Sequence, residues 1–371
     1  MAKLLTETPG SLSYVINEYL KSQVAQGKGD ETIKHHRQTL RRFMQVNGNI
    51  LFRNVREWHV TNFFQEIAVT RGPSSLNVDR AVLNSFFEWG RQTRRFPLNV
   101  NPMWGVKTFK VVQRERQRVH VSDFPRLLDA AEHPRDRVVI ALGLYQFLRQ
   151  SEMKTLTVGR VDLKSGTILV DVHKTKQQDL MPISAELDEE LRRWFEYYTW
   201  AINGPLHPEL PLIPQKTRPT GRRNPETGLI EPLPRSGPDL DPSRRLEYRL
   251  EVIAQEALKK IDFPVKTVSK TGRLKGEGIH TLRRSGARAW FDYLQSMEPW
   301  EDPRTGELIR PPSYPIRPVQ AALHHKQQST TERYIGLEPD RYERDLLMRG
   351  RRMYDFDRTN VIELSSYGRI G

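Results

Sequence analysis

Over the first hundred residues apolar side chains recur at helical spacing, and no stretch alternates as a strand does. Leu12, Val15, Ile16, Tyr19 and Leu20 fall on one face behind Ser11, a residue type that caps helix starts. A second helix is predicted from Asp30, with Ile33, Leu40, Phe43 and Met44 inward and Lys34, His35, Arg37, Arg41 and Arg42 on its other face. A third covers residues 60–67. A fourth covers residues 75–91, with Val78, Val82, Phe86 and Trp89 inward. Four short helices make a small all-α domain over residues 11–105, behind a tail of residues 1–10.

The pattern lapses over residues 106–118, VKTFKVVQRERQR, a basic stretch that reads as an interdomain linker. Helical spacing resumes at Ser122 with Phe124, Leu127 and Leu128. Residues 138–148 are almost wholly apolar, which predicts a buried helix. Residues 167–172 and 180–183 read as short strands around a polar tip, 173–179. Further helices are predicted over residues 187–200, 246–261 and 280–294. Residues 203–243 are rich in proline, glycine and arginine and read as a long, mobile loop or insertion. Residues 298–318 form a second proline-rich interruption. A charged helical stretch is expected at residues 341–352. The second domain is therefore placed at 119–350, with a tail at 351–371, and the fold class is mainly α with a small β-hairpin or sheet.

Composition narrows the function. A chain of 371 residues exceeds one ordinary core, and 37% hydrophobic with 28% charged residues describes a folded protein. There is no cysteine, which excludes disulfides, thiolate metal sites and a cysteine nucleophile. No run of about 18 apolar residues spans a membrane, and MAKLLTETPG lacks a signal peptide's apolar core. A cytosolic life fits. The net charge of +14 favours a polyanionic partner, since neutralising phosphates releases counterions. Without a long basic amphipathic helix, nucleic acid is the better partner than a membrane. A basic helix face is commonly just solvated, but the one-signed bias points Lys34, Arg37, Arg41 and Arg42 toward phosphate.

Breaking a phosphodiester without a metal needs a nucleophile, fixed cations on the phosphorane and an acid for the leaving oxygen. Arginine suits the second task because its planar fork holds two phosphate oxygens and stays charged. The second domain offers such a set in order. Arg149 lies in FLRQSEM with Glu152 three residues on, and Lys174 lies in HKTKQQDLMPI at the predicted hairpin tip. His280 and Arg283 share GIHTLRRSG, and His325 and Tyr334 share ALHHKQQSTTERYIG, 334 − 325 = 9 positions apart. A zinc reading of His324 and His325 is poor, because adjacent histidines point to different helix faces. No metal or other cofactor is expected.

These residues resemble the tyrosine recombinase family, the integrases of temperate phages and mobile elements and the Xer-type resolvases, over residues of about 11 to 350. Its Arg-x-x-Glu box matches Arg149 to Glu152, and its hairpin lysine with a later proline matches Lys174 and Pro182. Its His-x-x-Arg box matches His280 to Arg283. Its Leu-Gly-His box and following tyrosine match Leu323, His324, His325 and Tyr334. RAVLNSFFEWGRQ with Asn101 and Pro102 resembles the last helix and exit of the family's core-site-binding domain. Two positions depart: His324 stands for the usual glycine and Arg284 for a frequent histidine. The eight residues from Lys174 to Pro182 favour Lys174 over Lys176, and the spacing to the tyrosine favours His325 over His324.

The resemblance implies an α-helical, SAM-like core-binding domain and an α+β catalytic domain, forming a C-shaped clamp on DNA. It implies that Tyr334 attacks the scissile phosphate to form a 3′-phosphotyrosyl bond. Arg149 and Arg283 would hold the non-bridging oxygens, and His280 and His325 would donate further hydrogen bonds. Lys174 would protonate the 5′-oxygen, with Glu152 in a supporting, orienting role. Rejoining would need no ATP, and exchange between duplexes implies a homotetramer on attachment or recombination sites. Only about ten residues precede the first helix, so an arm-binding domain is not expected, and directionality would call for an accessory DNA-bending or directionality factor. The expected role is integration or excision of a phage or mobile element inside a bacterial host. A Xer-type resolvase is the nearest alternative. A type IB topoisomerase or a non-catalytic DNA-binding protein stands further off.

Overall fold

The computed structural model describes residues 8–93, 98, 100–111, 117–172, 177–217, 221–223, 230–232, 240–246, 250–264, 266–268, 274–302, 305–312 and 314–337. The chain forms two units, Met1–Arg114 with Thr267–Lys275, and Glu115–Lys266 with Gly276–Gly371. The tip of the predicted hairpin, with Lys174 and Lys176, and the predicted helix at 341–352 lie outside the described residues.

The first unit is built on α1 (Leu12–Ala25), α2 (Asp30–Asn47), α3 (Glu57–Ala68) and α4 (Pro73–Gln92). Ser11 caps α1 by accepting the amide of Tyr14, and Asp30 and Glu31 put negative charge at the positive end of α2. Pro73 opens α4, where its missing N–H is not needed. The inward faces meet in an aromatic core: Phe43 lies edge-on to Phe63 and Phe87, and Phe52 edge-on to Phe86. Burying each such ring contributes about 2–3 kcal/mol. Val78, expected inward, is exposed, because the face of α4 turned to the core runs through Leu76, Val82, Leu83, Phe86 and Phe87. Val106 and Phe109 pack on this core, and Asn77 bonds both the N–H and the carbonyl of Phe109 at 2.8 Å.

The second unit begins with α5 (Phe124–Asp129), α6 (Pro134–Leu144) and α7 (Gln150–Thr155). A sheet of β1 (Val161–Asp162), β2 (Thr167–Val172) and β3 (Gln177–Pro182) follows, then α8 (Ala185–Ile202). From Val138 on, helix α6 is apolar all round, and it lies in the core against α5, α8 and two later helices, Leu250–Lys260 and Ile279–Ser296. Strands β2 and β3 pair antiparallel with Ile168 opposite Met181 and Val172 opposite Gln177. On β2 alternate residues Ile168, Val170 and Val172 are buried, the period of a half-buried strand.

The proline-rich stretch expected as one long loop carries short strands instead. These are β4 (Pro214–Lys216), β5 (Gly221–Arg223), β6 (Ile230–Pro232) and β7 (Leu240–Arg245), paired β4–β7 and β5–β6. Then come α9 (Leu250–Lys260), β8 (Lys266–Val268), β9 (Leu274–Gly276) and α10 (Ile279–Ser296). The second proline-rich interruption holds the hairpin of β10 (Trp300–Glu301) and β11 (Leu308–Ile309), followed by α11 (Ile316–Ala322) and α12 (Gln328–Ile335). Ala287 and Phe291 of α10, Ile316, Val319, Leu323, Ile335 and Leu337 form a separate apolar cluster on which Tyr334 packs. The fold is mainly helical with small antiparallel sheets, as the sequence predicts. Among the described residues no helix is long and apolar enough to cross a membrane.

Candidate active site

Helices α6 and α10 cross so closely that a Cβ on Gly286 would collide with the Leu144 carbonyl oxygen. This approach brings Arg283, three residues earlier on α10, under the turn that follows α6. Phe147 in that turn takes φ +52°, a left-handed conformation rare outside glycine, and its carbonyl accepts a hydrogen bond from Arg283 Nη1.

Arg149 is not on the buried helix but caps the next one. Its backbone N–H donates to Glu152 Oε2 at 2.7 Å, and its Nη1 donates to Glu152 Oε1 at 2.6 Å, a capping box at the start of α7. Glu152 is 1% exposed and also faces Arg283, whose Nη1 lies 3.4 Å from Oε2. One buried carboxylate therefore holds both arginines. Both also donate to the carbonyl of Leu323, at 3.0 Å from Arg149 and 2.6 Å from Arg283. Burial pushes the Arg283 pKa down to about 10, opposed by Tyr334 and Glu152 and reinforced by the Arg149 cation. The guanidinium stays positive at neutral pH.

His280 is exposed on the first turn of α10, and its backbone carbonyl accepts the Tyr334 hydroxyl at 3.2 Å. Glu251 of α9 accepts the Ile279 N–H at 3.3 Å and so secures this helix start, and burial raises its own pKa. His325 places Nδ1 3.0 Å from the hydroxyl of buried Thr331 and stands edge-on to the Tyr334 ring, centroids 5.3 Å apart. Tyr334 lies in the last turn of α12, which Gly336 ends at φ +72°. Arg149, Glu152, Arg283, His280, His325 and Tyr334 thus come together. Lys174, the remaining member of the expected set, lies outside the described residues.

The two departing positions have distinct places. Arg284 is buried and turned away from the site, donating to the Gln117 carbonyl at 2.9 Å and to Glu277 at 3.1 Å. His324 takes φ +49°, the backbone state that suits glycine, and its Nε2 lies 2.8 Å from Asp179 of β3. The Leu323 carbonyl, Thr331, Glu251 and Asp179 were not picked out from the sequence. Nothing in their local pattern marks them: Leu323, Glu251 and Asp179 have partners 28 or more residues away, and Thr331 is an ordinary helix residue six positions after His325.

In the first unit the four basic candidates on α2 differ. Arg37 and Arg41 are exposed, and Lys34 is exposed while pairing with Glu31 at 3.2 Å. Arg42 instead binds the fully buried Asp79 at 2.8 Å, beside Arg71 at 2.6 Å and the Thr39 hydroxyl at 2.7 Å.

Residues 117–226 match the phage integrase family. Tyrosine recombinase XerC of Proteus mirabilis is 29% identical over 127 residues, 33% of this chain and 40% of that protein, so the match spans well under half of the relative. A solved lambda integrase tetramer bound to a Holliday junction is similar over 88% of this chain and 78% of its own, at 12% identity and a TM-score of 0.58. XerH site-specific recombinase bound to palindromic difH substrate, a post-cleavage complex, is similar over 91% of this chain and 84% of its own, at 15% identity and a TM-score of 0.57. The phage integrase family's segment is thus confined to residues 117–226, and the solved recombinases share the fold of the chain.

Proposed function

We propose that this protein is a site-specific recombinase that cuts and rejoins duplex DNA through Tyr334. The single observation that carries the reading is the convergence at the Leu323 carbonyl. Two arginines from separate elements meet there, one side of a turn from the His325 ring that abuts Tyr334. Two fixed guanidinium forks beside a phenol are what a pentavalent phosphorane with a tyrosyl oxygen requires.

In this reading the Tyr334 Oη–P bond forms as the P–O5′ bond breaks, leaving a 3′-phosphotyrosyl link and a 5′-hydroxyl. Arg149 and Arg283 neutralise the non-bridging oxygens, His280 and His325 add hydrogen bonds, and Lys174 gives its proton to O5′. Glu152 keeps the two cations in place when no phosphate is bound. The covalent link conserves the bond energy, so a partner strand's 5′-hydroxyl reseals it without ATP. The exposed Arg37 and Arg41, with Lys34, contact DNA phosphates.

The biological role proposed is integration or excision of a phage or mobile element, with four copies acting on paired sites. The lambda integrase tetramer on a Holliday junction is a structural likeness in support. Two supercoiled plasmids carrying the candidate attachment sites, incubated with the protein and no nucleotide, should yield recombinant joints. Relaxed plasmid without recombinants would point instead to a topoisomerase.

A further inference from the structure

Three consecutive residues after α11 reach three different parts of the second unit. The Leu323 carbonyl is bonded by both arginines, the His324 ring is bonded to β3, and the His325 ring meets Thr331 and Tyr334. Only the middle link has no place in the reading above.

Its chemistry is specific. Strand alternation puts Asp179 on the same face of β3 as the buried Met181, an inward position where an apolar residue is the ordinary choice. Asp179 is half-buried there, and His324 is 12% exposed at its side chain, with Nε2 2.8 Å from Oδ2. His324 holds this contact from φ +49°, a left-handed conformation that is strained for a residue with a Cβ. The strain and the inward carboxylate are explained together if the bond between them is used. The base of β3 is fixed separately, by Gln146 Nε2 donating to the Pro182 carbonyl at 3.0 Å. Asp179 lies on the same strand three residues before Pro182, and Lys174 stands five residues before Asp179 in the sequence.

We infer that His324 is a positioning residue, whose bond to Asp179 fixes the β2–β3 hairpin against the turn that holds both arginines and so sets the leaving-group end of the site. The inference rests on the reading of Lys174 as the proton donor to O5′.

The test uses single-turnover cleavage by the full chain, on one DNA with the natural 5′-oxygen and one with sulfur in its place. A thiol loses its proton near pH 8.5, so a sulfur leaving group needs no acid. His324→Gly removes the ring while relieving the backbone, so it folds. Asp179→Asn removes the carboxylate at constant size. Each should slow cleavage of the oxygen substrate on the order of tenfold, the double variant should be no slower than either single one, and the sulfur substrate should restore the rate. Lys174→Ala, run in parallel, separates the two ideas. Rescue of Lys174→Ala but not of His324→Gly, or additive losses in the double variant, overturns the positioning role alone. Failure to rescue Lys174→Ala overturns the proton-donor reading and the inference with it.

Discussion

Glu152 is the residue on which the cationic centre balances. It is buried between Arg149 and Arg283 and bonds the first through two atoms. Removing its charge leaves Arg283, itself 1% exposed, short of compensation. Glu152→Gln should cost about 3 kcal/mol in unfolding free energy, read by denaturant titration. It should also change the pH profile. The Glu152 carboxylate raises the Arg283 pKa against burial, so its loss takes that pKa below about 10, and the cationic form is lost at lower pH. The alkaline limb of the cleavage rate should therefore move toward neutrality, and an unmoved limb would count against an electrostatic role. These side chains were legible in the sequence because charged residues at box spacing are rare together. The acceptors that orient them were not. Phe147 and Leu323 contribute carbonyls, and a carbonyl's direction is set by turn geometry such as φ +52° at Phe147, to which residue type gives no clue.

At the scale of elements, the α6–α10 crossing sets the distance between the two arginines. Gly286→Ala would drive a methyl into the Leu144 carbonyl, a backbone atom with little room to yield. The expected loss is about 1–3 kcal/mol of stability, with a cleavage defect larger than the fraction unfolded explains. On α2, adjacent arginines should behave differently. Arg41→Ala should weaken DNA binding and lower the salt slope by about 1 at unchanged Tm. Arg42→Ala takes a partner from buried Asp79 and should lower Tm, at a cost of about 2 kcal/mol. Equal Tm values for the two variants would contradict the distinction. The helical periodicities were readable because each helix buries one stripe, and α6 because every residue from Val138 to Leu144 is buried. Arg42 looked like Arg41 because the reason for its turn inward, Asp79, is 37 residues away. The strands inside 203–243 were hidden by prolines and glycines that mark turns as readily as they mark loops.

For the whole molecule, the order of boxes along the chain carried the resemblance to the tyrosine recombinases, and neither charge nor helix count does so alone. Charge still has a consequence. A chain of net charge +14 that contacts roughly six phosphates should lose DNA affinity with a log–log salt slope of about −5. A slope near zero would remove the phosphate-contact account of the first unit. The central claim concerns one oxygen atom, and it is tested most directly by trapping. A nicked substrate that loses the short strand 3′ of the cut leaves the covalent complex unable to reseal. Digestion after arginine then releases the peptide of residues 334–341, YIGLEPDR. The account predicts that nucleotide mass on this peptide, placed on Tyr334 by fragmentation, and no adduct from Tyr334→Phe. A covalent adduct on any other residue, or none from the unaltered protein on a DNA it cleaves, would contradict it.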